Sequence, residues 1–137
     1  MRTVIREALL LVLAALLPAV AVGFFHPKRP AWQSDEVPLS IAQSWKENAL
    51  WIDARPLADY KLDHIPGALP LNEDAWREML PAVLDAWNSD QKIVVYCSSL
   101  SCQTSHEVAR RLREEVGLPQ VFVLQGGWES WLKAREK

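Results

Sequence analysis

Between Val37 and Lys137 the chain alternates short apolar runs with helical apolar periods, and this alternation limits the fold more than any other feature of the sequence. Leu50-Trp51-Ile52, Ile93-Val94-Val95-Tyr96 and Val121–Leu124 have the length and composition of buried strands. The helical signals fall around and between them. Ser40 is placed to cap a helix whose apolar face holds Ile41, Ala42, Trp45 and Ala49. A second pattern starts at Asp74 and runs through Trp76, Met79, Leu80, Val83, Leu84 and Trp87, with Pro81 predicting a kink or two shorter helices. Val108, Leu112 and Val116 recur at four-residue spacing ahead of a stop signal at Gly117 and Pro119. Gly126-Gly127 opens a last helix carrying Trp128, Trp131 and Leu132. Alternation of this kind predicts an α/β fold, a largely parallel central sheet flanked by helices on both faces.

The rest of the chain is of another character. Ala8–Phe25 is 18 residues without a charge, bracketed by Arg2, Arg6, Lys28 and Arg29. Such a run is long enough to span a bilayer, and we read residues 1–25 as an N-terminal hydrophobic helix that anchors the protein, with membrane contact through residues 8–25. The alternative is a signal peptide, with Pro18 breaking its helix and Ala19-Val20-Ala21 as the cleavage site. The expected location is a bacterial cell membrane, single-pass, with the domain extracytoplasmic, or the periplasm if the segment is cleaved. Residues 26–36 read as a proline-containing linker and 37–137 as the domain.

Charge divides along the same line. Residues 1–30 hold four basic side chains against Glu7, and the remainder holds 11 basic against 16 acidic. A domain that acidic lacks the clustered cations that phosphate binding needs, so no nucleic-acid partner is expected. Two cysteines are too few for a disulfide scaffold or a four-cysteine zinc site. Seven Trp fit a small core that uses large side chains to bury area.

Chemistry points to the loop after the strongest strand, because open α/β sheets bind ligands beyond the carboxyl ends of their strands. Cys97 follows Tyr96 directly, and Ser98, Ser99, Leu100, Ser101, Cys102 and Gln103 lead into a helix. Thr104 and Glu107 fit a capping box. Small residues feeding a helix N-terminus converge backbone N–H groups into an anion cradle, which favours a thiolate at Cys97. The plain alternative is a buried small cysteine at a strand end.

From Val37 onward the chain resembles a single-domain rhodanese. Trp51-Ile52-Asp53-Ala54-Arg55 is similar to the family's first strand with its Asp-x-Arg ending. His64-Ile65-Pro66-Gly67-Ala68 and Leu71-Asn72 match the family's second signature, Val94–Cys97 the strand carrying the catalytic cysteine, and Leu124–Trp128 with Trp131 the closing one. The resemblance implies sulfane-sulfur transfer. Cys97 would take sulfur from thiosulfate, a polysulfide or a persulfide and pass it to a thiol, that of a protein included, or to cyanide. No cofactor and no metal are implied. At the loop itself the chain departs from the family: Ser98, Leu100 and Cys102 stand where many members carry Arg, Gly and a basic or hydroxyl residue. Gln103 replaces the Arg with which related phosphatases end this loop, so phosphatase chemistry is not expected.

Cys102 can be read as a resolving thiol or as a small loop residue. Two alternative functions remain: a thiol–disulfide protein cycling Cys97 with Cys102, and a non-catalytic docking module. Among the supporting residues, Asp53 and Arg55 read as a structural pair, with Arg55 otherwise a source of the cation the loop lacks. His64 reads as a structural hydrogen-bonding residue. His106 reads as an exposed helical histidine or a proton donor. A zinc site from Cys97, Cys102, His106 and His64 would have no standard spacing.

Overall fold

The structure, a computed structural model, describes residues 35–99 and 103–136. The expected N-terminal hydrophobic helix lies outside them, as do Leu100, Ser101 and Cys102. Among the described residues no helix is long and apolar enough to cross a membrane.

Five strands form one parallel sheet: β1 (Glu36–Val37), β2 (Ala49–Asp53), β3 (Leu69–Pro70), β4 (Lys92–Tyr96) and β5 (Val121–Leu124), in the order β1-β5-β4-β2-β3. Glu36, at the end of the expected linker, already belongs to the sheet. The helices are α1 (Leu39–Ser44), α2 (Leu57–Leu62), α3 (Trp76–Ala86), α4 (Gln103–Glu114) and α5 (Gly127–Arg135).

Strand β4 is central and explains the two cores. Successive side chains of a strand point to opposite faces. Ile93 and Val95 join Ile52, Val83, Val108 and Leu112 on the face covered by α3 and α4. Val94 and Tyr96 join Ala42, Ile65 and Leu124 on the other, where Trp45, Trp51, Trp128 and Trp131 pack against them. These four tryptophans fill the second core, Trp45 lying 5.1 Å from Phe122 and Trp51 6.4 Å from Trp131, centroid to centroid, while Trp76 and Trp87 pack in the first.

Several local expectations are corrected. The first helix starts at Leu39 with Pro38 as its cap, not Ser40, because the Pro38 carbonyl already accepts from the amides of Ile41 and Ala42. Ala49 belongs to β2 rather than to that helix. Helix α2, absent from the sequence reading, begins after Pro56. Helix α3 is one 11-residue helix that includes Pro81, not two shorter ones. Pro81 is exposed, so the carbonyl it leaves without an amide partner is on the side where water can reach. Helix α4 begins at Gln103, and the capping box does not form: the Glu107 carboxylate accepts instead from Arg110 at 2.6 and 2.9 Å.

The packing predicts a contrast. Leu112 is fully buried between α4 and the sheet, and Leu62 is 85% exposed. Leu112→Ala should cost about 2–5 kcal/mol in chemical denaturation, whereas Leu62→Ala should stay within about 0.5 kcal/mol of the parent.

Candidate active site

The carboxyl ends of β2, β3 and β4 open onto a cavity of about 240 Å³. Strand β2 runs into Ala54, Arg55 and Pro56, and β3 is followed by Asn72, Glu73 and Asp74. Strand β4 delivers Cys97 and Ser98, and α4 contributes Thr104. Sheet order alone brings these segments together, since β4 pairs with β2 and β2 with β3.

Asp53 anchors this end of the sheet. Its carboxylate is fully buried and accepts from the Arg55 backbone N–H at 2.9 Å and from the Arg55 side chain at 2.6 to 3.1 Å. It also accepts from the Tyr96 hydroxyl at 2.8 Å, across a pair that the β2–β4 register sets side by side. Tyr96 Oη in turn accepts the Ile65 N–H at 3.1 Å, so the His64–Ala68 turn is tied to the same hub. Burial pushes the Tyr96 phenol up, and the adjacent Asp53 charge adds to this, so the hydroxyl remains a donor. Burial pulls the Arg55 guanidinium down, but the hydrogen bonds and charge of Asp53 outweigh it and the net shift is upward. Arg55 also donates to the Asp63 carbonyl at 2.7 Å and stacks over Trp128 at 4.5 Å. Its charge is therefore neutralised by Asp53 even though it lines the cavity.

The Cys97 end is fixed from behind. The Cys97 carbonyl accepts the Trp128 N–H at 2.7 Å, and the Ser98 carbonyl accepts that of Glu129 at 3.2 Å. The first turn of α5 thus places its free amides against the start of the loop. Gly127 makes that approach possible. With φ +51°, a side chain there would be strained, and a Cβ would lie 2.3 Å from the Cys97 carbonyl oxygen.

Cys97 itself is buried, 3% exposed, and is disulfide-bonded. The sequence has one other cysteine, Cys102, which lies outside the described residues. Ser98 is exposed and Ser99 half-buried. Gln103, expected as the last residue of the loop, is the first of α4.

The two histidines among the described residues lie elsewhere. His64 Nδ1 is 2.9 Å from the Tyr60 carbonyl, with its ring stacked on Tyr60 at 4.0 Å. His106 Nε2 is 3.2 Å from Glu36 Oε1, a contact between α4 and β1. Neither lines the Cys97 cavity. Among the described residues no group of three His, Cys, Asp or Glu is placed to hold a metal ion.

Sequence reasoning passed over Tyr96, Glu73, Asp74 and the close approach at Gly127. Tyr96 looked like one more apolar strand residue. Only the register with Asp53 reveals what its hydroxyl does.

Residues 40–134 match the family model described as Rhodanese-like domain. Several Escherichia coli strains hold a tRNA uridine(34) hydroxylase that is 33% identical over 94 residues, 66% of this chain and 26% of that protein. The chain spans about a quarter of the length of these curated relatives. The crystal structure of BH2092 protein from Bacillus halodurans superposes with a TM-score of 0.60 at 25% identity, covering 73% of this chain and 72% of that one. Thiosulfate sulfurtransferase from Pseudomonas aeruginosa shares the fold, with a TM-score of 0.58 at 23% identity over 75% of this chain and 19% of that one. The chain belongs to the family of rhodanese-like domains, built on a parallel five-stranded sheet flanked by helices.

Tyr96→Phe tests the hub. It removes a donor from Asp53 and leaves the Ile65 N–H, in a residue 2% exposed, without its acceptor. A loss of about 1–3 kcal/mol in chemical denaturation is expected. No loss would mean that Asp53 and Arg55 suffice without the phenol.

Proposed function

We propose that this protein is a sulfurtransferase that carries sulfane sulfur as a persulfide on Cys97. The observation that carries the reading is the position of Cys97. It ends the central parallel strand, lines the cavity, and has its carbonyl held by the first turn of α5. Membership of the rhodanese-like family supports it. In the reaction the Cys97 thiolate attacks the sulfane sulfur of a donor, thiosulfate, polysulfide or persulfide. The donor's remaining fragment leaves as sulfite, a shorter polysulfide or a thiolate. A thiol or cyanide then attacks the outer sulfur of Cys97–S–SH, and the thiolate returns. In this reading the amides of residues 98–103 steady the persulfide.

The disulfide at Cys97 favours one second reading, a thiol–disulfide protein. With a single other cysteine in the chain, Cys102 is the candidate partner within the chain and the candidate resolving thiol. It would attack the inner sulfur of the Cys97 persulfide, expel hydrosulfide and close the disulfide. In the sulfur-transfer reading that disulfide is the oxidised resting form, opened by a dithiol before turnover. The reading also keeps the membrane tether through residues 8–25. Recovery of the full-length protein from a detergent-free soluble fraction would remove that part.

Intact mass after reduction and donor treatment separates these readings. Gain of one sulfur atom, lost on Cys97→Ser, supports transfer. Loss of two hydrogens under oxidant with no sulfur gained from any donor supports the thiol–disulfide protein. Cys102→Ser should keep the Cys97 persulfide and lengthen its lifetime under oxidising conditions. If Cys97→Ser still takes up sulfur, the assigned mechanism is wrong.

A further inference from the structure

The Cys97 cavity is acidic. Of the charged residues lining it, Arg55 is already neutralised by Asp53, which leaves the carboxylates of Glu73 and Asp74. Both are exposed, and among the described residues neither has an ion-pair partner. They follow the Leu71-Asn72 pair, and the Asn72 side chain accepts the Ala75 N–H at 2.9 Å, a turn that fixes this segment beside the cavity. The same two residues also line a second cavity, of about 310 Å³, that continues to Trp76 and Arg111. Two cations line that second cavity: Arg111 stacks on Trp76 at 4.0 Å and pairs with Glu115 at 3.1 Å, while Arg77 is exposed and is matched by a third carboxylate, Glu78, so the second cavity carries three acidic side chains against two basic ones. The surface available to a donor thus extends past Cys97 along two carboxylates.

We propose that Glu73 and Asp74 select the donor of this site, disfavouring the thiosulfate dianion and favouring a persulfide on a cysteine flanked by basic residues in a peptide or protein. The proposal rests on the sulfur-transfer reading and names its substrate class. Thiosulfate would bring two negative charges toward two more, with no free cation lining the cavity to offset them. A basic segment presenting R–S–SH places its positive side chains where Glu73 and Asp74 stand, and its length fits a surface of two cavities better than a small ion does. The step balances without net oxidation. The Cys97 thiolate attacks the outer sulfur of R–S–SH, that sulfur's bond to the inner one breaks, and the peptide leaves as R–S⁻ while Cys97–S–SH forms.

The test uses the full chain in non-ionic detergent, reduced with dithiothreitol and desalted. Three donors are compared by the rate of sulfur gain on Cys97: thiosulfate, a cysteine-persulfide peptide flanked by lysines, and the same peptide flanked by glutamates. At low ionic strength the parent should prefer the lysine peptide over the glutamate peptide by about tenfold, and the preference should shrink with added salt. In the Glu73→Gln/Asp74→Asn double variant the preference should fall toward one and thiosulfate uptake should rise several-fold. Both positions are exposed, so the fold should tolerate the change. An unchanged preference and an unchanged thiosulfate rate, with Cys97 still accepting sulfur, overturn the selectivity and leave sulfur transfer standing. No sulfur gain from any donor in either protein overturns both.

Discussion

The buried carboxylate of Asp53 is the interaction on which this end of the molecule depends. A full negative charge inside a core is tolerable only when it is paired and its lone pairs are filled. Here Arg55 supplies the opposite charge and three donors, and Tyr96 supplies a fourth. Through those contacts one carboxylate joins the end of β2, the end of β4 and, by way of the Tyr96 hydroxyl and Ile65, the turn that leads into β3. These three segments at the carboxyl end of the sheet are held by a single ionic hub. Removing one partner would leave the others buried and uncompensated, which makes the cluster a unit rather than a sum of pairs.

The nucleophile end uses neutral backbone groups instead. Two amides from the first turn of α5 hold the carbonyls of Cys97 and Ser98. The helix can come that near only because Gly127 has no side chain. Arg55 connects the two arrangements, bonded to Asp53 on one side and stacked on Trp128 on the other. The position of Cys97 is therefore set by strand β4 in front and helix α5 behind.

Much of this was legible in the sequence where burial is complete. Ile93–Tyr96 reads as a strand because all four residues are apolar and both faces of the sheet are covered. Helix α2 did not register because it buries no residue: Leu57 is 37% exposed and Leu62 85%. An element with no buried face leaves no apolar period to read. Asp53 and Arg55 were recognisable as a pair at close spacing, but Tyr96 lies far along the chain and meets them only through strand register. Asp74 reads in the sequence only as the start of a helical pattern, and Glu73 carries no signal of its own. Their place beside Cys97 follows from β3 pairing with β2, and sequence spacing carries no sign of that.

Strand β1 ties the two ends of the described domain together. Its two residues pair with Val123 and Leu124, and Asp35 just before it accepts from Arg113 at 2.7 Å. The first described strand thus pairs with the last, Glu36 lying beside Val123. Closing so long a loop costs entropy before any contact is gained, and folds with distant pairings are slow for that reason. The Cys97 segment and its neighbours on β2 can come together while β1 is still unpaired. Arg113 and His106 of α4 also hold the segment that carries β1, through Asp35 and Glu36.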